Sequence, residues 1–76
     1  MVKKFDKSSF LNAFGSHLKK IREDKGMSQA QVAIDCDFDV SVISRIERGM
    51  VNTSVYNLKL IAEALNIEVQ QLFDFM

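Results

Sequence analysis

Proline and tryptophan are absent from this 76-residue chain, glycine occurs three times and cysteine once. With no proline and so little glycine, nothing reads as a linker or a low-complexity segment except the opening MVKKFDK. A single cysteine, Cys36, excludes an intramolecular disulfide and fits a reducing, cytosolic setting. Net charge is lacking as well: ten basic and ten acidic residues cancel, which removes the simplest argument for a polyanionic partner, a strongly positive balance. No apolar run approaches the roughly 20 residues that a membrane span needs, and no signal-peptide pattern opens the chain. The expectation is a cytoplasmic protein with no membrane association. No internal repeat is visible.

What is present is a short, polarised, helix-patterned chain. A chain this small buries only about 60% of its unfolded surface, so a single domain is expected, and self-association would help it. We place that domain at residues 9–76, after a short N-terminal segment, 1–8. Residues 1–28 carry seven Lys/Arg against three Asp/Glu, whereas residues 54–76 carry one Lys against three acids. Distribution of this kind shapes the surface field more than the sum does.

Phe10, Phe14, Leu18 and Ile21 recur at helical spacing and predict a first helix over 9–25, capped by Ser8 or Ser9 and stopped by Gly26. Ser28 and Gln31 stand in capping-box spacing at the head of a second helix, 29–36, which buries Val32, Ala33 and Cys36. Asp37 tolerates the left-handed conformation of a tight turn, Phe38 is an apolar plug, and Asp39 can cap a third helix over 40–48, with Ile43 and Ile46 inward and Gly49 at its end. Asn52, Thr53 and Ser54 are cap candidates for a fourth helix, 55–65, carrying Leu58, Ile61, Ala62 and Leu65. Asn66 suits its C-terminus, and IEVQQLF allows a short fifth helix at 68–74. Strand signals are weak, so the fold class expected is all-α, with five helices.

Two short helices joined by a three-residue turn form a helix-turn-helix, whose second helix can enter the DNA major groove. With Ile43 and Ile46 inward, Val40, Ser41, Ser44 and Arg45 are left on the outer side of helix 3. Arg45 can donate two hydrogen bonds to guanine O6 and N7, the serines can donate or accept, and Val40 can meet a thymine methyl. Gln29 at the head of helix 2, and Arg48 and Asn52 beyond helix 3, suit phosphate contacts, which position a duplex without reading it.

Gln29, Val32, Ala33, the run Ile43-Ser44-Arg45-Ile46-Glu47, Gly49, Asn52, Ser54, Leu58, Ile61, Ala62, Leu65 and Leu72-Phe73 together resemble the XRE family of lambda-repressor-like helix-turn-helix proteins. The likeness runs over residues 14–73, and SQAQVA, ISRIERG and LIAEAL follow in the family's order. It implies a five-helix domain that binds double-stranded operator DNA as a homodimer, of the restriction-modification controller or phage-repressor type. It also implies an ion pair between Arg22 and Glu47, with Arg22 turned toward a phosphate. The chain departs from the family at Cys36, Asp37 and Thr53, and the acids at 35, 37 and 39 lie where phosphates would pass, weakening non-specific binding.

Other readings of the same residues are weaker. Asp35, Asp37 and Asp39 echo an EF-hand loop, but Val40 and Ile46 stand where that loop needs Gly and Glu. His17 has no second ligand at helical spacing, and Cys36 belongs to an apolar face, so no metal site is expected. No nucleophile-base pairing and no phosphate-binding glycine loop appears, so neither an enzyme nor a cofactor is expected. Ile67, Val69, Leu72, Phe73, Phe75 and Met76 crowd the end of the chain and point to a two-fold dimer contact. The competing function is a protein-interaction module of the same fold, binding a partner protein or RNA polymerase.

Overall fold

The structure is a computed structural model that describes residues 4–76. Four α-helices follow one another, α1 Lys7–Asp24, α2 Gln29–Cys36, α3 Val40–Glu47 and α4 Val55–Ala64, and a 3-10 turn, Val69–Phe73, closes the chain. There is no strand among the described residues. The all-α expectation holds, with one correction: the fifth element is a 3-10 turn rather than an α-helix. Its bond from Gln71 N–H to the Glu68 carbonyl spans three residues, as suits a run too short to repay α-helix nucleation.

Each α-helix starts on a side-chain cap. Asp6 Oδ1 accepts the Ser9 N–H at 2.7 Å, so α1 begins two residues earlier than expected and swallows the end of the supposed N-terminal segment, of which residues 1–3 lie outside the described part. Ser28 and Gln31 form the expected reciprocal box, with Gln31 N–H on Ser28 Oγ at 3.1 Å and Ser28 N–H on Gln31 Oε1 at 3.0 Å. Asp39 and Ser54 cap α3 and α4.

The helix ends share one device. Gly26, Asp37, Gly49 and Asn66 all have positive φ, and the residue after each returns its N–H to a carbonyl inside the helix: Met27 to Arg22, Phe38 to Ala33, Met50 to Arg45 and Ile67 to Ala62. These are Schellman closures, which satisfy carbonyls that a helix end would otherwise leave bare.

Leu18, Val32, Ile43, Ile46, Ile61, Leu65 and Leu72 are the fully buried centre, one or more from every element. Burying each aliphatic side chain of this size is worth about 1.5–3 kcal/mol, so the centre binds all five elements into one unit. α1 crosses α3 at Gly15, where an added Cβ would lie 2.5 Å from the Glu47 carbonyl oxygen. Only glycine lets the two backbones approach that closely.

The C-terminal phenylalanines are covered from within the chain. Phe73 lies 5.4 Å from Phe14, and Phe75 meets Phe5, Phe10, Phe14 and His17 at ring separations of 5.5 to 6.1 Å. His17 Nε2 lies 2.8 Å from the Gln71 carbonyl and ties α1 to the last turn. This corrects the expected dimer surface at one position, Leu72. Leu72 has no exposed area and cannot meet a second chain, and Phe73 and Phe75 are half-buried against α1. Ile67 and Val69 are half-buried likewise, and Met76 is 62% exposed.

Candidate nucleic-acid interface

The outer side of α3 is built by what its inner side must do. Ile43 and Ile46 go to the core, so Val40 and Arg45 stand exposed, with Ser41 and Ser44 half-buried beside them. Arg48 follows on the same end of the helix, exposed, its Nε donating to the Ser44 carbonyl at 3.3 Å. That single bond lays the side chain along the helix and leaves its terminal nitrogens free to donate.

Asp39 stands at the head of α3. Its Oδ1 accepts the Ser41 N–H at 2.9 Å. That bond, a further one with the Ser41 side chain and the nearby Arg45 charge hold its carboxyl below the usual carboxylate range. The acid therefore does structural work, and it also places a negative charge close to Arg45.

The foot of α3 is fixed by a buried polar cluster. Arg22 Nε donates to Glu47 Oε2 at 2.6 Å and Arg22 Nη2 to Glu47 Oε1 at 3.0 Å, while Nη1 donates to the Met27 carbonyl at 2.8 Å. Gln29 Nε2 donates to the same Glu47 Oε1 at 2.9 Å. The bond to Glu47 raises the Arg22 pKa above its ordinary value, so the guanidinium stays charged. α1, the α1–α2 turn, the head of α2 and the end of α3 thus meet at one carboxylate.

This cluster shows the Arg22–Glu47 pair in the expected geometry and turns the Arg22 donors, and one N–H of the Gln29 amide, toward protein acceptors. Arg22 is only 8% exposed, with its nitrogens turned inward. Gln29 is half-buried, and its amide donates to Glu47. What α2 still offers is backbone: Ser28 Oγ accepts from Gln31, so the first-turn N–H groups of Gln29 and Ala30, which have no partner inside a helix, point outward.

Asn52 is exposed in the α3–α4 loop, where it borders a groove shared with the start of α1. Sequence reasoning did not find that neighbourhood, nor the crossing at Gly15. The signal for the latter was a lone glycine inside an otherwise regular helical pattern, which usually marks a packing constraint. No group of three or more His, Cys, Asp or Glu among the described residues could hold a metal ion. Cys36 is buried, its thiol pushed up by burial and then by the charges of Asp35 and Glu63. None of the described helices is long and apolar enough to cross a membrane.

The helix-turn-helix family pattern matches residues 18–72, which takes in α2, the turn and α3 together with the elements that support them. The chain belongs to the XRE-like helix-turn-helix family. Its relatives are bacterial DNA-binding transcription regulators rather than enzymes. The chain is 41% identical over 63 residues to the control protein C.BamHI of Bacillus amyloliquefaciens, covering 82% of this chain and 78% of that one. It is 41% identical over 61 residues to the control protein C.MunI of a Mycoplasma species, covering 79% and 82%. Among solved structures, the restriction-modification controller C.AhdI from Aeromonas hydrophila superposes with a TM-score of 0.82 at 39% identity, over 84% of this chain and 97% of that one.

Proposed function

We propose that this protein is a cytoplasmic, sequence-specific transcriptional regulator that binds a pseudo-palindromic operator as a homodimer, acting as the controller of a restriction-modification system. The observation that carries this reading is the exposed Arg45 on a helix whose opposite side is locked into the core and whose foot is pinned through Glu47. A guanidinium held on a rigid helix can reach guanine O6 and N7 with both its donors. Val40, Ser41 and Ser44 complete the base-reading set. Arg48, Asn52 and the free N–H groups at Gln29 and Ala30 take phosphates. Two copies would place their α3 helices in successive major grooves about 34 Å apart, joined through Ile67, Val69, Met76 and the partly exposed Phe73 and Phe75. The likeness to C.BamHI, C.MunI and C.AhdI supports the controller role.

A gel-shift titration at low salt tests this directly: retardation of a mixed-sequence duplex is expected, and no retardation of any duplex by folded protein contradicts it. A second contact, with RNA polymerase or another partner protein, is favoured by Val55 and Tyr56, which are 79% and 63% exposed at the head of α4.

A further inference from the structure

The second turn of α1 lies beside the foot of α3. A Cβ placed on Gly49 would come within 2.9 Å of Asn12 Cα and N, so the α1 backbone runs directly behind the residue that follows Arg48. About one helical turn earlier, a groove of about 300 Å³ opens between α1 and the α3–α4 loop, with Phe5, Leu11 and Met76 as its apolar lining and Asp6, Lys7 and Asn52 as its polar rim. Among the described residues, neither the Lys7 ammonium nor the Asn52 amide has an intramolecular hydrogen-bond or ion-pair partner. Lys7 and Asn52 are both exposed, and both line this groove.

We propose that Lys7 is a DNA phosphate ligand, and that it forms with Asn52 a clamp for one backbone phosphate next to those taken by Arg48. This rests on the DNA-binding reading above and adds α1 to an interface otherwise confined to the helix-turn-helix and the loop after it. An ammonium supplies a compact charge and an amide a directed N–H, and phosphate oxygens accept from both. The opposing charge is Asp6, whose Oδ1 is occupied as the helix cap by the Ser9 N–H. Lys4, also exposed, adds positive charge at the same end of α1. A chain without net charge thereby concentrates positive charge where a phosphate is already met by the loop.

The test is the salt dependence of binding between the full chain and a mixed-sequence duplex, followed by fluorescence anisotropy. Lys7→Gln should lower the magnitude of the slope of log K against log salt by about 0.9, the value of one released phosphate contact. Lys25→Gln, at the far end of α1, should leave it unchanged. Asp6→Asn keeps a good cap and should tighten binding at low salt. A Lys7→Gln slope equal to that of the parent, with Arg48→Ala still reducing it, overturns the clamp and leaves the DNA-binding reading standing. Equal reductions from Lys7→Gln and Lys25→Gln overturn the clamp in favour of a general charge effect. No salt-dependent binding by the parent overturns both.

Discussion

Arg22 and Glu47, 25 positions apart in the chain, are joined by two hydrogen bonds of 2.6 and 3.0 Å, and each residue is 8% exposed. Removing one member of a buried pair strands the other charge, at a cost of about 3–5 kcal/mol, although the pair as a whole contributes far less against an apolar replacement. Glu47→Ala should therefore lower the unfolding free energy in urea by about 3 kcal/mol or more, and Arg22→Met combined with Glu47→Leu should recover part of that loss. A loss below about 1 kcal/mol, the range of exposed ion pairs, would mean that the pair does not anchor the foot of α3.

Gly15 decides how closely α1 and α3 pack. Helix propensity alone favours Gly15→Ala by roughly 0.5–1 kcal/mol. The new Cβ would, however, sit 2.5 Å from the Glu47 carbonyl oxygen and 2.8 Å from its carbon, and backbone atoms cannot swing aside as a side-chain tip can. Overpacking of this kind costs about 1–3 kcal/mol, so a net loss of stability and a weakened DNA affinity are expected. Calorimetry showing a higher Tm for Gly15→Ala would reverse the reading of that crossing.

Arg45 and Arg48 should fail differently. Arg45→Ala is expected to cost roughly 1–3 kcal/mol on the selected operator and little on random duplex, relaxing preference at one base pair. Arg48→Ala should weaken all duplexes alike and reduce the salt slope by about 0.9. Competition binding with operator and random duplex separates the two, and uniform loss from Arg45→Ala would remove it from the base-reading set.

Asp6 and Asp39 cap α1 and α3, and backbone N–H bonds hold both carboxyls below the ordinary value of 3.8. A carboxyl whose folded pKa is depressed stabilises the native state at pH above its unfolded value, and that contribution is lost as pH falls through the folded one. The protein should consequently lose Tm in acid below the ordinary carboxylate range. Replacing both residues by Asn retains caps that do not titrate, so the acid limb of Tm against pH should become shallower. Superimposable limbs for parent and variant would show that these caps carry none of the acid sensitivity.

Much of the scaffold could be read because its signals are local. Gly26, Asp37, Gly49 and Asn66 stop the helices as their backbone preferences suggest, and the Ser28–Gln31 box opens α2 as its spacing suggests. What escaped the sequence depends on residues far apart in the chain. Phe75 reads as surface until Phe5 and Phe10 are seen to cover it. The Gln29 amide reads as free of protein partners until Glu47 arrives beside it from α3. The Asp6 cap was hidden by Ser8 and Ser9, which are equally good cap residues one turn along. The last turn shows the limit of periodicity, since a run as short as Val69–Phe73 fits a 3-10 turn as well as an α-helix.

Reading of an inverted repeat by two copies of α3 is tested most directly by enrichment of random duplex DNA on the purified protein near physiological salt, followed by sequencing. The expected result is an inverted repeat whose half-sites lie about one helical turn, roughly 34 Å, apart, lost on Arg45→Ala. Recovery of no common sequence by protein shown to be folded would contradict it.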